Sequence, residues 1–278
     1  MKKQQLTRMG TYLAADVHGF LPARPPGGAM VEPWSTAVRV LVGGYLDEWG
    51  SAVHSVYVRG SVARNLAVPG LSDLDSFCVL RPEAGTGRTG LAGWSAAINR
   101  ELHGQFPFLS GVEVDLLPVE SVLDRRNFYS FVLKCEAVCL HGEDLSGLLE
   151  PFHLSEVNYQ TRYFREHMDE FLTEWPREPE EDRPGFIAWL AKRMLRLGME
   201  LVMEREKRYT RDLYLCYESF ATHHPEQEAA MYRVLELAMN PVTDDETVML
   251  LREFGGWLAG LGQASLEEPD QLRQHAAQ

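Results

Sequence analysis

Asp73 and Asp75 stand two residues apart in the run Ser72-Asp73-Leu74-Asp75-Ser76-Phe77, which reads into a strand over Leu74–Leu80. Strand residues two apart project to one face, so these carboxylates project together. Two close carboxylates repel each other, and a divalent cation between them removes the penalty. About a dozen residues upstream, Gly60-Ser61 closes the β-rich run His54–Val58 and opens a short helix near Val62–Ala67. Gly60 lets the backbone approach a ligand, and Ser61 with the helix N-terminus offers N–H donors to a phosphate. Downstream, a third strand over Val112–Val119 puts Glu113 and Asp115 on one face, and either can complete the acidic cluster. A phosphate cradle beside a metal seat suits in-line attack at a phosphoryl group, where positioning and charge neutralisation supply the catalysis. Gly-Ser or Asp-x-Asp alone would equally fit a helix cap and a surface pair; the three elements in this order favour chemistry.

The elements that must hold these residues alternate. A Pro/Gly-rich loop over residues 22–33 precedes an amphipathic helix over Trp34–Trp49, with Val38, Leu41, Val42 and Tyr45 on one face. Pro69-Gly70 turns the chain between the first two strands, a helix near Leu91–Gln105 separates the second from the third, and Ser121–Leu140 reads as helix and strand. From Ser155 onward helical periods dominate, near 155–174, 186–207, 211–222, 226–239 and 244–261, with a Pro-bracketed acidic linker, PREPEEDRP, between the first two. The expected architecture is α+β: a sheet with flanking helices over 1–150, then a helical bundle over 151–278.

The chain has 278 residues and a formal net charge of -13. That balance disfavours a broad nucleic-acid contact, which clustered Lys and Arg would drive, and suits a small cationic ligand or a nucleotide held through metal ions. The four cysteines, Cys78, Cys135, Cys139 and Cys216, complete no zinc pattern and read as free thiols. With no signal-like N-terminus and no apolar run approaching ~20 residues, the expectation is a soluble, cytoplasmic protein.

Gly60, Ser61, Asp73, Leu74, Asp75 and Asp115 occur in the order and spacing of the polymerase-β-like nucleotidyltransferase superfamily, which the chain resembles. Ser76 departs from that pattern, where an apolar residue is usual. Within the superfamily the chain is similar to the aminoglycoside adenylyltransferases that modify streptomycin and spectinomycin, and the stretches Arg193–Leu197, Arg208–Asp212 and Tyr217–Ala221 look like parts of their helical second domain. The resemblance implies a mixed sheet and Mg²⁺-dependent transfer of AMP from ATP to a hydroxyl. It also implies two ions on Asp73 and Asp75, with Asp115 on the one nearest the acceptor, and Glu113 as general base. Glu113 is equally readable as a carboxylate that recognises a cationic substrate. Nucleotide contacts would come from Gly60 and Ser61, with Arg211 and Lys192 reaching in from the helical half. For Arg211 a surface pair with Asp212 is as good a reading, and for Lys192, which shares a face with Arg196, a solvated helix face is the commoner one.

The acceptor is expected to be a small, aminoglycoside-like cation. Adenylylation of a protein, as by nucleotidyltransferase antitoxins, is the nearest alternative, and a non-catalytic nucleotide-binding regulator is the next. The run Gly85–Gly90 spells a dinucleotide fingerprint but is detached from the preceding strand and reads as a loop.

Overall fold

A computed structural model of the chain describes residues 6–23, 30–70, 72–82 and 90–276. Most of the Gly85–Gly90 run therefore lies outside the described residues. The chain divides into two compact units, Pro22–Pro151 and Met1–Leu21 with Phe152–Gln278. The division falls beside the boundary read at 150, and the opening segment groups with the helices rather than with the sheet. Its two-residue strand β1 (Leu13–Ala14) pairs there rather than in the sheet unit.

In the sheet unit, α1 (Trp34–Trp49), β2 (Val53–Val58), α2 (Gly60–Ala63), β3 (Leu74–Leu80), α3 (Leu91–Gln105), β4 (Val112–Pro118), α4 (Val119–Leu123), α5 (Phe128–Cys135) and β5 (Val138–Gly142) follow in order. The sheet is mixed, β4-β3-β2-β5, with β3 and β4 parallel and the other pairs antiparallel. Side chains alternate between its faces. Leu74, Cys78 and Leu80 with Val112, Val114 and Leu116 form one core with Val38, Leu41 and Tyr45 of α1 and Ile98 and Leu102 of α3. Ser76 lies on that face too, and its burial is satisfied. Its hydroxyl is 3.0 Å from that of Tyr45 and donates to the Glu113 carbonyl at 3.2 Å, which explains how a polar residue fits here.

The opposite face carries Asp75, Phe77, Glu113 and Asp115. Phe77 stacks on Tyr57 with ring centroids 4.9 Å apart, and Tyr129 of α5 meets Phe77 edge-on at 5.2 Å. The short helix after Gly-Ser forms earlier than its sequence pattern indicates. It starts at Gly60 and ends by Ala63, as the N–H groups of Arg64 and Leu66 turn back to the Ser61 carbonyl.

The helical unit comprises α6 (Tyr159–Glu174), α7 (Arg183–Glu206), β6 (Arg208–Tyr209), α8 (Leu213–His223), α9 (Glu228–Met239) and α10 (Asp245–Ala276). Ile187, Leu190, Met194, Leu197 and Val202 of α7 are fully buried, as its neighbours close round it. α10 runs well past the expected end near 261. β1 joins this unit by pairing with β6, Leu13 opposite Tyr209, and Arg8 forks onto Glu218 through two 2.9 Å hydrogen bonds. No described helix is long and apolar enough to cross a membrane, and all four cysteines are free.

Candidate active site

The site begins where β2 leaves the sheet. Arg59 is still tied to β3, its N–H donating to the Asp75 carbonyl at 2.9 Å. Gly60 then adopts φ +72°, and a Cβ built on it would lie 2.2 Å from Asp75 Oδ2. The glycine therefore makes room for an internal carboxylate, a tighter demand than the open approach to a ligand that the sequence alone indicates.

Asp73 comes just ahead of β3, at the end of a loop closed by reciprocal bonds. Ser72 Oγ accepts from the Val68 N–H, and the Ser72 N–H donates to the Val68 carbonyl, each at 2.9 Å. The parallel register of β3 and β4 sets Asp75 directly beside Glu113. One ligand oxygen from each of Asp73, Asp75 and Glu113 lies within 4.8 Å of the others.

Asp115 is not a member of that group. It stands two residues farther along β4, opposite Phe77, and its Oδ2 accepts a hydrogen bond from the Tyr129 hydroxyl. Asn127 starts α5 and fixes Tyr129, whose N–H it accepts at 3.0 Å. Of the two carboxylates that the sequence leaves open for the third place, Glu113 is the one grouped with Asp73 and Asp75 among the described residues.

Two further residues complete the surroundings, and the sequence did not single them out. Arg59 Nη2 donates to Glu113 Oε1 at 2.6 Å and lies 3.5 Å from Asp75 Oδ1. Its guanidinium also stands 5.9 Å from the Tyr129 ring centroid. Burial opposes the charge on Arg59, but Asp75 and then Glu113 outweigh it and hold the guanidinium above its ordinary range. For Tyr129, burial is the main cause pushing the phenol up, so it remains a donor. A signal for Arg59 was present: a cation ending a buried apolar strand is costly unless carboxylates meet it. Nothing local marks Tyr129, because its partner is fourteen positions away on another element.

Residues 39–135, from within α1 to the end of α5, match the family described as nucleotidyltransferase domain. The chain carries a nucleotidyltransferase domain. It is thereby an enzyme of the nucleotidyltransferase class, and Gly60, Ser61, Asp73, Asp75, Glu113 and Asp115 all fall inside the matched stretch. No curated protein sequence matches the chain significantly. Among solved structures, spectinomycin adenyltransferase AAD(9) from Enterococcus faecialis, with ATP and spectinomycin, is similar, with a TM-score of 0.53 at 10% identity over 82% of this chain and 98% of that one. At this identity the likeness is one of fold.

Lys192 and Arg211 belong to the helical unit. Lys192 is half-buried on α7, and half-buried Arg211 lies between β6 and α8. The segment around Arg211 is braced by the start of the chain, another feature without a sequence signal. The Thr210 hydroxyl donates to the Thr11 carbonyl at 2.9 Å, and the Thr11 N–H donates to Asp212 Oδ2 at 3.0 Å.

Proposed function

We propose that this nucleotidyltransferase moves AMP from ATP to a hydroxyl of a small cationic acceptor of the aminoglycoside kind, with Mg²⁺ required. The observation that carries the reading is the Asp73, Asp75 and Glu113 group beside the Gly60-Ser61 turn. Oxygen ligands of Mg²⁺ lie roughly 2 Å from it and so stand at most about 4 Å apart, and three oxygens within 4.8 Å of one another can converge on a common ion by side-chain rotation.

Asp73, Asp75 and Glu113 are the residues that would hold Mg²⁺, and an expected pair of ions would share the two aspartates. Bound divalent metal supplies charge neutralisation at the transferring phosphoryl group and the departing pyrophosphate. The remaining work falls to the chain. Gly60 and Ser61 border the triphosphate. Glu113 has the most exposed side chain of the three, at 56%, so it is the carboxylate an acceptor can reach. It takes the hydroxyl proton as the acceptor oxygen bonds to the α-phosphorus and the bond to pyrophosphate breaks. Asp115, engaged with Tyr129, is a positioning residue in this scheme rather than a ligand.

Support for the acceptor class comes from the net charge of -13, which draws cations to acidic surfaces, and from the spectinomycin in the similar adenyltransferase structure. The test is incubation of the full chain with labelled ATP, Mg²⁺ and an aminoglycoside panel, spectinomycin and streptomycin first. A labelled product that depends on acceptor and metal is expected. No labelling of any member, and no shift of the melting temperature by any member with Mg-ATP present, would rule out this acceptor class.

A further inference from the structure

Arg59 stands among the carboxylates proposed to hold the metal, and no role in the scheme above uses it. One of its nitrogens, Nη2, reaches both Glu113 and Asp75, while its buried Nε has no hydrogen-bond partner. A guanidinium is at its strongest when it forks onto two oxygens through two nitrogens, so this arrangement leaves donor capacity unused. The two carboxylates also differ in freedom. Asp75 and Arg59 have side chains only 13% and 12% exposed, whereas Glu113 is 56% exposed and is the partner able to swing away.

We propose that Arg59 is a resident counter-cation that competes with divalent metal for Asp75 and Glu113, so that the ion is held firmly only together with a nucleoside triphosphate. The inference rests on the metal-site reading above. A guanidinium held a few ångströms from a divalent ion in a partly buried site repels it, because the effective dielectric there is far below that of water. Free metal therefore binds weakly. Triphosphate oxygens offer the guanidinium the forked partner it lacks, releasing Glu113 to the ion, so nucleotide and metal strengthen each other's binding. Arg59 is in this sense a positioning residue that sets the order of loading.

The experiment is titration of the full chain with Mn²⁺ alone, followed by calorimetry and by electron paramagnetic resonance of the bound ion, then repeated with a non-hydrolysable ATP analogue. Arg59→Met should bind Mn²⁺ alone at least tenfold more tightly than the wild type, and Arg59→Lys should stay close to the wild type. The gain in Mn²⁺ affinity brought by the analogue should shrink at least tenfold in Arg59→Met. Arg59→Gln, equally uncharged, replaces Arg59→Met if the latter melts early. A neutral variant that binds Mn²⁺ no more tightly than the wild type overturns the proposal. Asp75→Asn separates the two readings: if it binds Mn²⁺ as well as the wild type, the ion is elsewhere, and the metal site falls together with the role of Arg59. If Asp75→Asn loses the ion but Arg59→Met gains nothing, only the role of Arg59 falls.

Discussion

The carboxylate of Asp75 fills the space that a side chain on Gly60 would need, since a Cβ there would lie 2.2 Å from Asp75 Oδ2. Gly60→Ala thus combines two faults: a methyl group against a confined carboxylate, and a non-glycine residue at φ +72°. Strain of this kind costs on the order of 1–3 kcal/mol. The variant should melt several degrees lower and lose Mn²⁺ binding as Asp75 is displaced. Wild-type melting together with wild-type metal affinity would contradict this relationship. A bulkier Gly60→Val would not report on nucleotide approach by itself, because the carboxylate moves first.

Asp73→Asn and Asp75→Asn keep shape and remove charge. Each should lower transfer roughly a thousandfold or more, because charge neutralisation at the phosphoryl group is the largest contribution such a site makes. Asp75→Asn should also cost stability, since it weakens the carboxylate pairing of a guanidinium that is only 12% exposed. Turnover of labelled ATP by either variant within tenfold of the wild type would remove these residues from the reaction.

Glu113 and Asp115 share a strand face yet differ in company, Arg59 for one and Tyr129 for the other. Glu113→Gln should reduce transfer about a hundredfold and weaken metal binding. Asp115→Asn should cost about tenfold, and Tyr129→Phe should reproduce most of that loss, because both act through one hydrogen bond. Should Asp115→Asn abolish Mn²⁺ binding while Glu113→Gln retains it, the ligand assignment reverses.

The sequence carried the local facts of this site and missed the relational ones. Period-two alternation placed Asp73 with Asp75 and Glu113 with Asp115, and β3 forms over the span read for it, Leu74–Leu80. The choice between Glu113 and Asp115 depends on register, because a parallel β3–β4 ladder that pairs Asp75 with Glu113 leaves Asp115 opposite Phe77. Register is a property of two strands, and neither strand states it alone. The same limit hid β1: two residues, Leu13 and Ala14, give no periodic signal, and only their pairing with Tyr209 and Arg208 assigns the opening segment to the helical unit. Ser76 is the reverse case. It broke the apolar pattern, and Tyr45 on α1 explains why it is tolerated.

The helical unit contains a buried carboxylate that should leave a mark on its pH dependence. Glu200 of α7 is 8% exposed and accepts from the Gln160 N–H at 3.0 Å, the Thr161 N–H at 2.8 Å and the Thr161 hydroxyl at 2.9 Å. It thus caps the first turn of α6, whose own N-cap, Asn158, makes no side-chain cap bond. Burial pushes its carboxyl up to about 7, against the opposing pull of those donors and of Arg211. In the unfolded chain a glutamate titrates near about 4.3. Between those values the folded protein keeps a proton that the unfolded chain releases, so stability from this group is complete below about 4.3 and declines as pH rises to about 7. A displacement of that size corresponds to roughly 4 kcal/mol in full, about 3 of it above pH 4.5. Glu200→Gln removes the titration, although its amide must face one of the donors and so lowers stability at every pH. The informative quantity is the wild-type unfolding free energy minus that of Glu200→Gln, from urea melts between pH 4.5 and 8, where titrations common to both chains cancel. That difference should fall by roughly 3 kcal/mol across the window and level off above it. A flat or rising difference would mean that Glu200 is ionised throughout, held by its donors and Arg211 rather than neutralised by burial.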